Sequence, residues 1–190
     1  MRHAFTVDVE DWYQGIPISD VAKVERRLDS SCNRLLDVMA EFEVRGTFFI
    51  LGPVARDYPN LIRRITNEGH ELGCHGWSHD LVYDLTPDQF RDETLRASDT
   101  ISGLTGQAVT AYRAAYFSIT RQSLWALDIL AELGFQCDSS IFPVRNWRYG
   151  IPDYDLEPHI VNTSNGPICE VPMSVRQLGK RRLPVTGGAY

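Results

Sequence analysis

Along the chain, short apolar runs alternate with longer stretches in which apolar positions recur at helical spacing. Ala4-Phe5-Thr6-Val7 reads as a first strand that runs into the acidic stretch Asp8-Val9-Glu10-Asp11. From about Ser31 to Phe42, the positions of Leu35, Leu36, Val38, Met39 and Phe42 mark the apolar face of a helix. Gly46 opens a second strand, Thr47-Phe48-Phe49-Ile50-Leu51, whose uninterrupted apolarity suits a strand covered on both faces. A helix over about Asn60 to Asn67 ends at Gly69, a left-handed cap, and feeds a third strand, Glu71-Leu72-Gly73-Cys74. Thr86-Pro87-Asp88-Gln89 is a capping box with proline at the first helical position, and it starts a helix running to about Leu104. A fourth strand spans Val109 to Arg113, and Thr120 caps a helix through Leu124, Leu127, Leu130 and Leu133 that Gly134 closes. Fifth and sixth strands, Phe135 to Asp138 and Ile168 to Val171, complete the series. Such alternation predicts an α/β fold with a mainly parallel sheet, which this many strand–helix units could close into a barrel.

That pattern says where to look for chemistry. In parallel α/β folds the C-terminal ends of the strands carry the functional loops, so Asp8, His75, Arg113 and Asp138 are expected to face one another. The stretch Gly69 to Asp80 holds three of the chain's five histidines, and His75 and His79 are four residues apart. In one helical turn that spacing puts both imidazoles on one side, where they could meet one metal ion. Two histidines at this spacing are by themselves ordinary core or surface residues; the strand-to-loop junction is what favours a metal. A hard hydrolytic ion takes a carboxylate as third ligand and keeps an open position for water.

Composition narrows the field. At 190 residues and 43% hydrophobic, the chain can bury one core and is most simply one domain. A net charge of −6 and a pI near 5.3 argue against nucleic acid as a partner, since phosphate binding needs a basic surface. The one basic cluster, Lys180-Arg181-Arg182, reads as a solvated turn. No apolar run approaches a membrane span, and Asp8, Glu10 and Asp11 break the first apolar run, leaving no signal-peptide core. Cys32, Cys74, Cys137 and Cys169 have no metal-finger spacing, so reduced thiols and a cytoplasmic location are expected.

At this point the residues resemble a family. Thr6-Val7-Asp8 with the following acids, Gly69-His70-Glu71-Leu72-Gly73-Cys74-His75-Gly76-Trp77-Ser78-His79, Tyr112-Arg113-Ala114-Ala115-Tyr116 and Asp138-Ser139-Ser140 fall in the order of the motifs of the polysaccharide deacetylases with a NodB-homology domain. Asp138-Ser139-Ser140-Ile141-Phe142-Pro143, followed by Arg148-Tyr149-Gly150-Ile151-Pro152, is similar to the subgroup associated with exopolysaccharide gene clusters. The resemblance covers essentially residues 1–190 and implies a distorted or incomplete (β/α) barrel. It also implies a divalent metal, most simply zinc, and removal of N-acetyl groups from an acetylated oligo- or polysaccharide, as in exopolysaccharide or peptidoglycan. On that resemblance Asp8 is the catalytic base, held by Arg113; His75 and His79 are metal ligands; Asp138 belongs to a network orienting a general acid; and the Tyr116 backbone amide helps stabilise the oxyanion. Trp12, Trp77 and Tyr116 adjoin these motifs and are expected to line the sugar groove; Tyr13, Phe117, Trp147 and Tyr149 are read as core or lid.

Departures from the pattern carry information too. The family has two adjacent aspartates, the second a ligand, whereas Val9 follows Asp8 here. Spacing by two keeps a residue on one side of a strand and favours Glu10 as the ligand, while a turn beginning there would present Asp11 instead. Gly76 stands for a small hydroxyl residue and Ala115 for a proline. No histidine follows His159, a residue read as part of a loop, so the family's late general acid is missing. Gly187-Gly188-Ala189-Tyr190 reads as the start of a further strand, which suggests that the last barrel units lie beyond this sequence. Two alternatives follow: an allantoinase-like hydrolase of cyclic amides, which the Asp-x-Glu form keeps open, and a glycan-binding remnant that does not turn over.

Overall fold

Parallel pairing in perfect step is what the apolar runs produce. The computed structural model describes residues 4–14, 23–179 and 181–185, which fall into two compact units. One comprises Met1–His79 and Glu93–Val109, the other Asp80–Asp92 and Thr110–Tyr190.

In the first unit, strands β1 (Thr6–Val9), β2 (Thr47–Ile50) and β3 (Glu71–Cys74) pair in parallel, with helices α1 (Leu28–Glu41), α2 (Gly52–Asp57) and α3 (Pro59–Asn67) between and after them. Val9, Ile50 and Cys74 are register partners and each is the last residue of its strand. Glu10, Leu51 and His75 therefore leave the sheet side by side. The apolar run of β2 is buried as expected: Phe48, Ile50 and Leu51 lie in the core, as do Leu36 of α1 and Ile62 and Ile65 of α3. Helix α4 (Pro87–Thr105) opens on the predicted capping box, in which the Thr86 N–H donates to Gln89 Oε1 (2.8 Å) and the Gln89 N–H to Thr86 Oγ1 (3.3 Å).

Helix α1 starts at Leu28, ahead of the predicted Ser31, because its cap is not local. The Asp11 carboxylate, 17 residues upstream, accepts the Leu28 N–H at 3.3 Å and the Arg27 N–H at 3.0 Å, satisfying helix-end donors that no neighbouring side chain reaches. Helix α2 was not expected; Gly52 and Pro53 at its start hid a short helix that turns directly out of β2.

In the second unit, β4 (Ala111–Tyr112), β5 (Cys137–Asp138) and β7 (Gly166–Glu170) pair in parallel, and β6 (His159–Thr163) runs antiparallel to β7. Helix α5 (Trp125–Glu132) begins five residues after Thr120, which instead donates its N–H to Ser123 Oγ (2.9 Å) in a turn. His159 opens β6 rather than lying in a loop: β6 alternates half-buried and exposed positions, a pattern its polar composition concealed. Arg181 and Arg182 belong to β9 (Arg181–Pro184), paired with β8 (Val175–Leu178), rather than to a turn, and Arg182 Nη1 donates to the carbonyls of Pro152 and Tyr154 (2.8 Å each). Lys180 and residues 187–190 lie outside the described residues.

Two glycines in the first unit should respond oppositely to alanine. A Cβ on Gly52 would meet the Trp77 ring at 2.2 Å, whereas one on Gly103, inside α4, meets nothing within 4 Å. Gly52→Ala is expected to cost about 1–3 kcal/mol, and Gly103→Ala to add about 0.5–1 kcal/mol, both read from urea unfolding.

Candidate metal centre

Glu10 and His75 reach the same edge of the first unit because their strands end in register. His79 is brought back to them by the loop that follows. That loop is not the helical turn the spacing suggested: Gly76 has φ 80° and His79 has φ 63°, both in the left-handed region. Gly76 adopts this at no steric cost, which accounts for glycine where a hydroxyl residue was expected, and its carbonyl accepts the Gly52 N–H at 2.9 Å. His79 pays a strain that its surroundings hold in place: the Ser78 N–H (3.2 Å) and hydroxyl (2.6 Å) both donate to Glu93 Oε2 on α4.

The three side chains converge. Glu10 Oε2 lies 2.6 Å from His79 Nε2 and 3.8 Å from His75 Nε2, and the three candidate donor atoms fall within 4.8 Å of one another. The imidazoles are buried, and their ring centroids stand 5.3 Å apart. Glu10 Oε2 is itself buried and accepts no hydrogen bond. A carboxylate oxygen removed from water in this way needs a positive charge, and one ion shared with two imidazole nitrogens supplies it. Two ligands bound at about 2.0–2.2 Å in tetrahedral geometry stand roughly 3.3 Å apart, a value between the two observed separations. The donors therefore fit a divalent ion.

The other expected residues of this unit sort clearly. Asp8, half-buried on β1, is the register partner of Phe49. Asp11 caps α1 and its other oxygen accepts the Trp12 N–H (2.9 Å), so its carboxylate is committed to backbone and Glu10 is the acid that joins the histidines. His70 is structural: Nδ1 accepts the Gly46 N–H (3.2 Å), the ring lies 4.9 Å from Phe48, and burial lowers its pKa. Trp12 is 54% exposed, its Nε1–H donating to the Glu25 carbonyl (3.0 Å). Trp77, expected near the sugar groove, abuts Gly52 and carries the Arg96 guanidinium 3.6 Å from its ring centroid. Burial pushes the Cys32 thiol up to about 11 and the Cys74 thiol up to about 12, so both stay protonated packing groups.

In the second unit, Arg113 follows β4 and is buried, its Nε and Nη2 donating to the Ser139 carbonyl (3.1 Å) and hydroxyl (2.9 Å). Asp138 is fully buried and accepts from the Ser140 hydroxyl (2.6 Å) and N–H (3.1 Å). Tyr116, expected near the sugar groove, sits in a tight turn, Ala115–Phe117, with φ 54°, and the Arg148 guanidinium lies 3.7 Å from its ring centroid. Tyr149 stacks on Phe142, as a core residue should, but Trp147 is 91% exposed and belongs to no core. Sequence reasoning missed Glu170, a fully buried acid at the end of β7; the lone glutamate in Ile168-Cys169-Glu170-Val171 was the available signal.

Fold and site together define a class: parallel α/β, with two histidines and a carboxylate gathered where the strands end. The family model described as polysaccharide deacetylase matches residues 20–137, more than half of the chain, and the chain belongs to that family. Residues 139–190 match a second model, a domain of unknown function, DUF3473. The chain is 33% identical over 96 residues to a peptidoglycan-N-acetylglucosamine deacetylase of Bacillus cereus, which covers 50% of this chain and 35% of that protein. It is 35% identical over 97 residues to a chitooligosaccharide deacetylase of Bradyrhizobium, covering 51% and 42%. A crystal structure of a candidate polysaccharide deacetylase from Mycobacterium smegmatis superposes with a TM-score of 0.73 at 26% identity, over 90% of this chain and 58% of that one. The chain thus spans less than half the length of these curated relatives. The expected fold class, α/β of the distorted, incomplete (β/α) barrel type, is the one the family shares. Among the described residues no helix is long and apolar enough to cross a membrane.

Elemental analysis distinguishes the two acids. Wild type and Asp11→Asn should each retain about one equivalent of divalent metal, with Asp11→Asn less stable by about 1 kcal/mol; Glu10→Gln, His75→Ala and His79→Ala should lose the metal at an affinity cost of at least tenfold. Metal retained by Glu10→Gln but lost by Asp11→Asn would reverse the assignment.

Proposed function

We propose that this chain is a metal-dependent amide hydrolase that removes N-acetyl groups from an acetylated glycan. The observation that carries the reading is the buried Glu10 Oε2, which accepts no hydrogen bond and faces two imidazole nitrogens. Glu10, His75 and His79 would hold the ion, zinc by the borderline character of two nitrogens and one oxygen. When bound there, the ion would polarise the amide carbonyl and acidify a water. Asp8 is the proton acceptor in this reading. It stands two residues before Glu10, so both carboxylates lie on one side of the chain, and it is not among the three clustered donors.

The glycan is read from two directions. The relatives are named for peptidoglycan N-acetylglucosamine and chitooligosaccharides, both N-acetylated sugar polymers. The segment from Asp138 onward resembles the exopolysaccharide-associated subgroup, which favours an exopolysaccharide as the polymer. We take residues 1–190 to act as a single NodB-homology domain.

Acetate release from N-acetylated chitooligosaccharides tests the proposal directly. Wild type loaded with zinc should release acetate, and Asp8→Asn should keep the metal while losing about 10²- to 10⁴-fold in kcat. Hydrolysis of a small cyclic imide in place of the sugar would move the chain to the allantoinase-like reading; full metal occupancy with neither activity would leave a glycan-binding remnant.

A further inference from the structure

We infer that Glu170 holds a proton on Oε2 at neutral pH and donates it to Asp138, making the two buried acids a pair of single negative charge that positions the turn carrying Tyr116. Asp138 and Glu170 are register partners on the parallel strands β5 and β7, so their side chains leave the same face, and both are fully buried. The hydrogen bonds around the pair favour one place for the proton. Ser140 Oγ accepts the Ala114 N–H (2.8 Å), so the hydroxyl hydrogen must point elsewhere, to Asp138 Oδ1 at 2.6 Å. Asp138 Oδ2 accepts the Ser140 N–H at 3.1 Å. Both Asp138 oxygens are therefore acceptors. Glu170 Oε1 accepts the Ile141 N–H at 3.2 Å, which leaves Oε2 buried and without a donor to meet it, on the strand face that Glu170 shares with Asp138. Two ionised carboxylates could not both be satisfied there.

The surrounding charges agree on which acid ionises. Arg113 acts on Asp138 and favours its charged form, although burial, the larger influence, pushes that carboxyl up. Burial first, and then the charge of Asp138, hold Glu170 well above the usual carboxylate range. The other titratable neighbours are the Cys137 thiol and the Tyr154 phenol, which carry no positive charge, and His159, the register partner of Glu170 on β6, whose Nδ1 pairs with the Glu157 carbonyl (2.9 Å) and whose Nε2 lies 3.9 Å from the Asp155 carboxylate.

The pair acts through a chain. Glu170 fixes Asp138 as an acceptor, Asp138 orders the Ser140 hydroxyl, and that hydroxyl holds the Ala114 N–H directly before the Ala115–Phe117 turn, where Tyr116 and Phe117 take φ of 54° and 53°. Glu170 is thus a positioning residue, and only the activity arm of its test rests on the deacetylase reading.

The test compares wild type, Glu170→Gln and Glu170→Ala. Infrared difference spectra at neutral pH should show the carbonyl stretch of a protonated, buried carboxylic acid in wild type and lose it in both variants. A raised folded pKa contributes stability that is complete below the unfolded value and lost as pH rises through the folded one. The midpoint of urea unfolding should therefore fall with rising pH above the ordinary carboxylate range in wild type, and the Gln variant should lack this extra fall. The Gln amide can donate where the acid did, so it should restore deacetylase kcat to within about threefold of wild type while Glu170→Ala loses tenfold or more. No protonated-acid band in wild type, a band that survives Glu170→Gln, or identical pH slopes in wild type and Glu170→Gln would each overturn the assignment. If wild type releases no acetate, the deacetylase reading fails, and the infrared and unfolding measurements still decide this one.

Discussion

A carboxylate oxygen taken out of water must face a positive charge or a hydrogen, and the buried acids here meet that requirement in two ways. Glu10 Oε2 meets two imidazole nitrogens, which can supply positive charge only through protonation or a shared cation. Glu170 Oε2 meets another acid, and only a proton between them satisfies both. The chemistry differs because the neighbours differ. In the first unit the nearest groups are metal ligands by nature, and in the second they are hydroxyl and backbone donors already spoken for.

Strand register creates both situations. In the first unit Val9, Ile50 and Cys74 end their strands in step, and the next residues include Glu10 and His75. In the second, Tyr112, Asp138 and Glu170 are in step, so two acids share one face of adjacent strands. A slip of one residue would turn each of these side chains to the opposite face. The apolar runs that fill the core, such as Phe48-Phe49-Ile50, therefore do more than contribute burial. By fixing register they decide which polar groups meet.

Much of this was legible in the sequence. The strands of the first unit, the capping box at Thr86 and the convergence of His75 and His79 with an acid follow from apolar patterning and from ligand chemistry. What was hidden was non-local. Asp11 and Glu10 both carry a carboxylate after the same strand, and nothing near them in sequence says that one caps a helix 17 residues on. Trp77 adjoins the histidines, yet the contact that defines it, with Gly52, lies 25 positions earlier in the chain. Glu170 sits in the predicted strand Ile168 to Val171, and nothing near it in sequence says that its strand pairs with β5 and buries it beside Asp138. Strand β6 failed for a different reason: His159-Ile160-Val161-Asn162-Thr163 is an edge strand, half-buried at most, and edges need no continuous apolarity.

The backbone of the loop from Gly76 to His79 is set by contacts made away from the imidazole. His79 at φ 63° is held against a penalty of order 1 kcal/mol. Three independent contacts maintain it: the glycine turn at position 76, closed on Gly52, and the two hydrogen bonds from Ser78 to Glu93. None involves the imidazole itself. The ring is thus aimed by groups that an ion would not touch, and the same α2 start that receives the Gly76 carbonyl leaves no room for a Cβ beneath Trp77. A site arranged this way loses little conformational entropy when its ligand arrives, so its affinity is governed by the donors and not by the ordering of the loop.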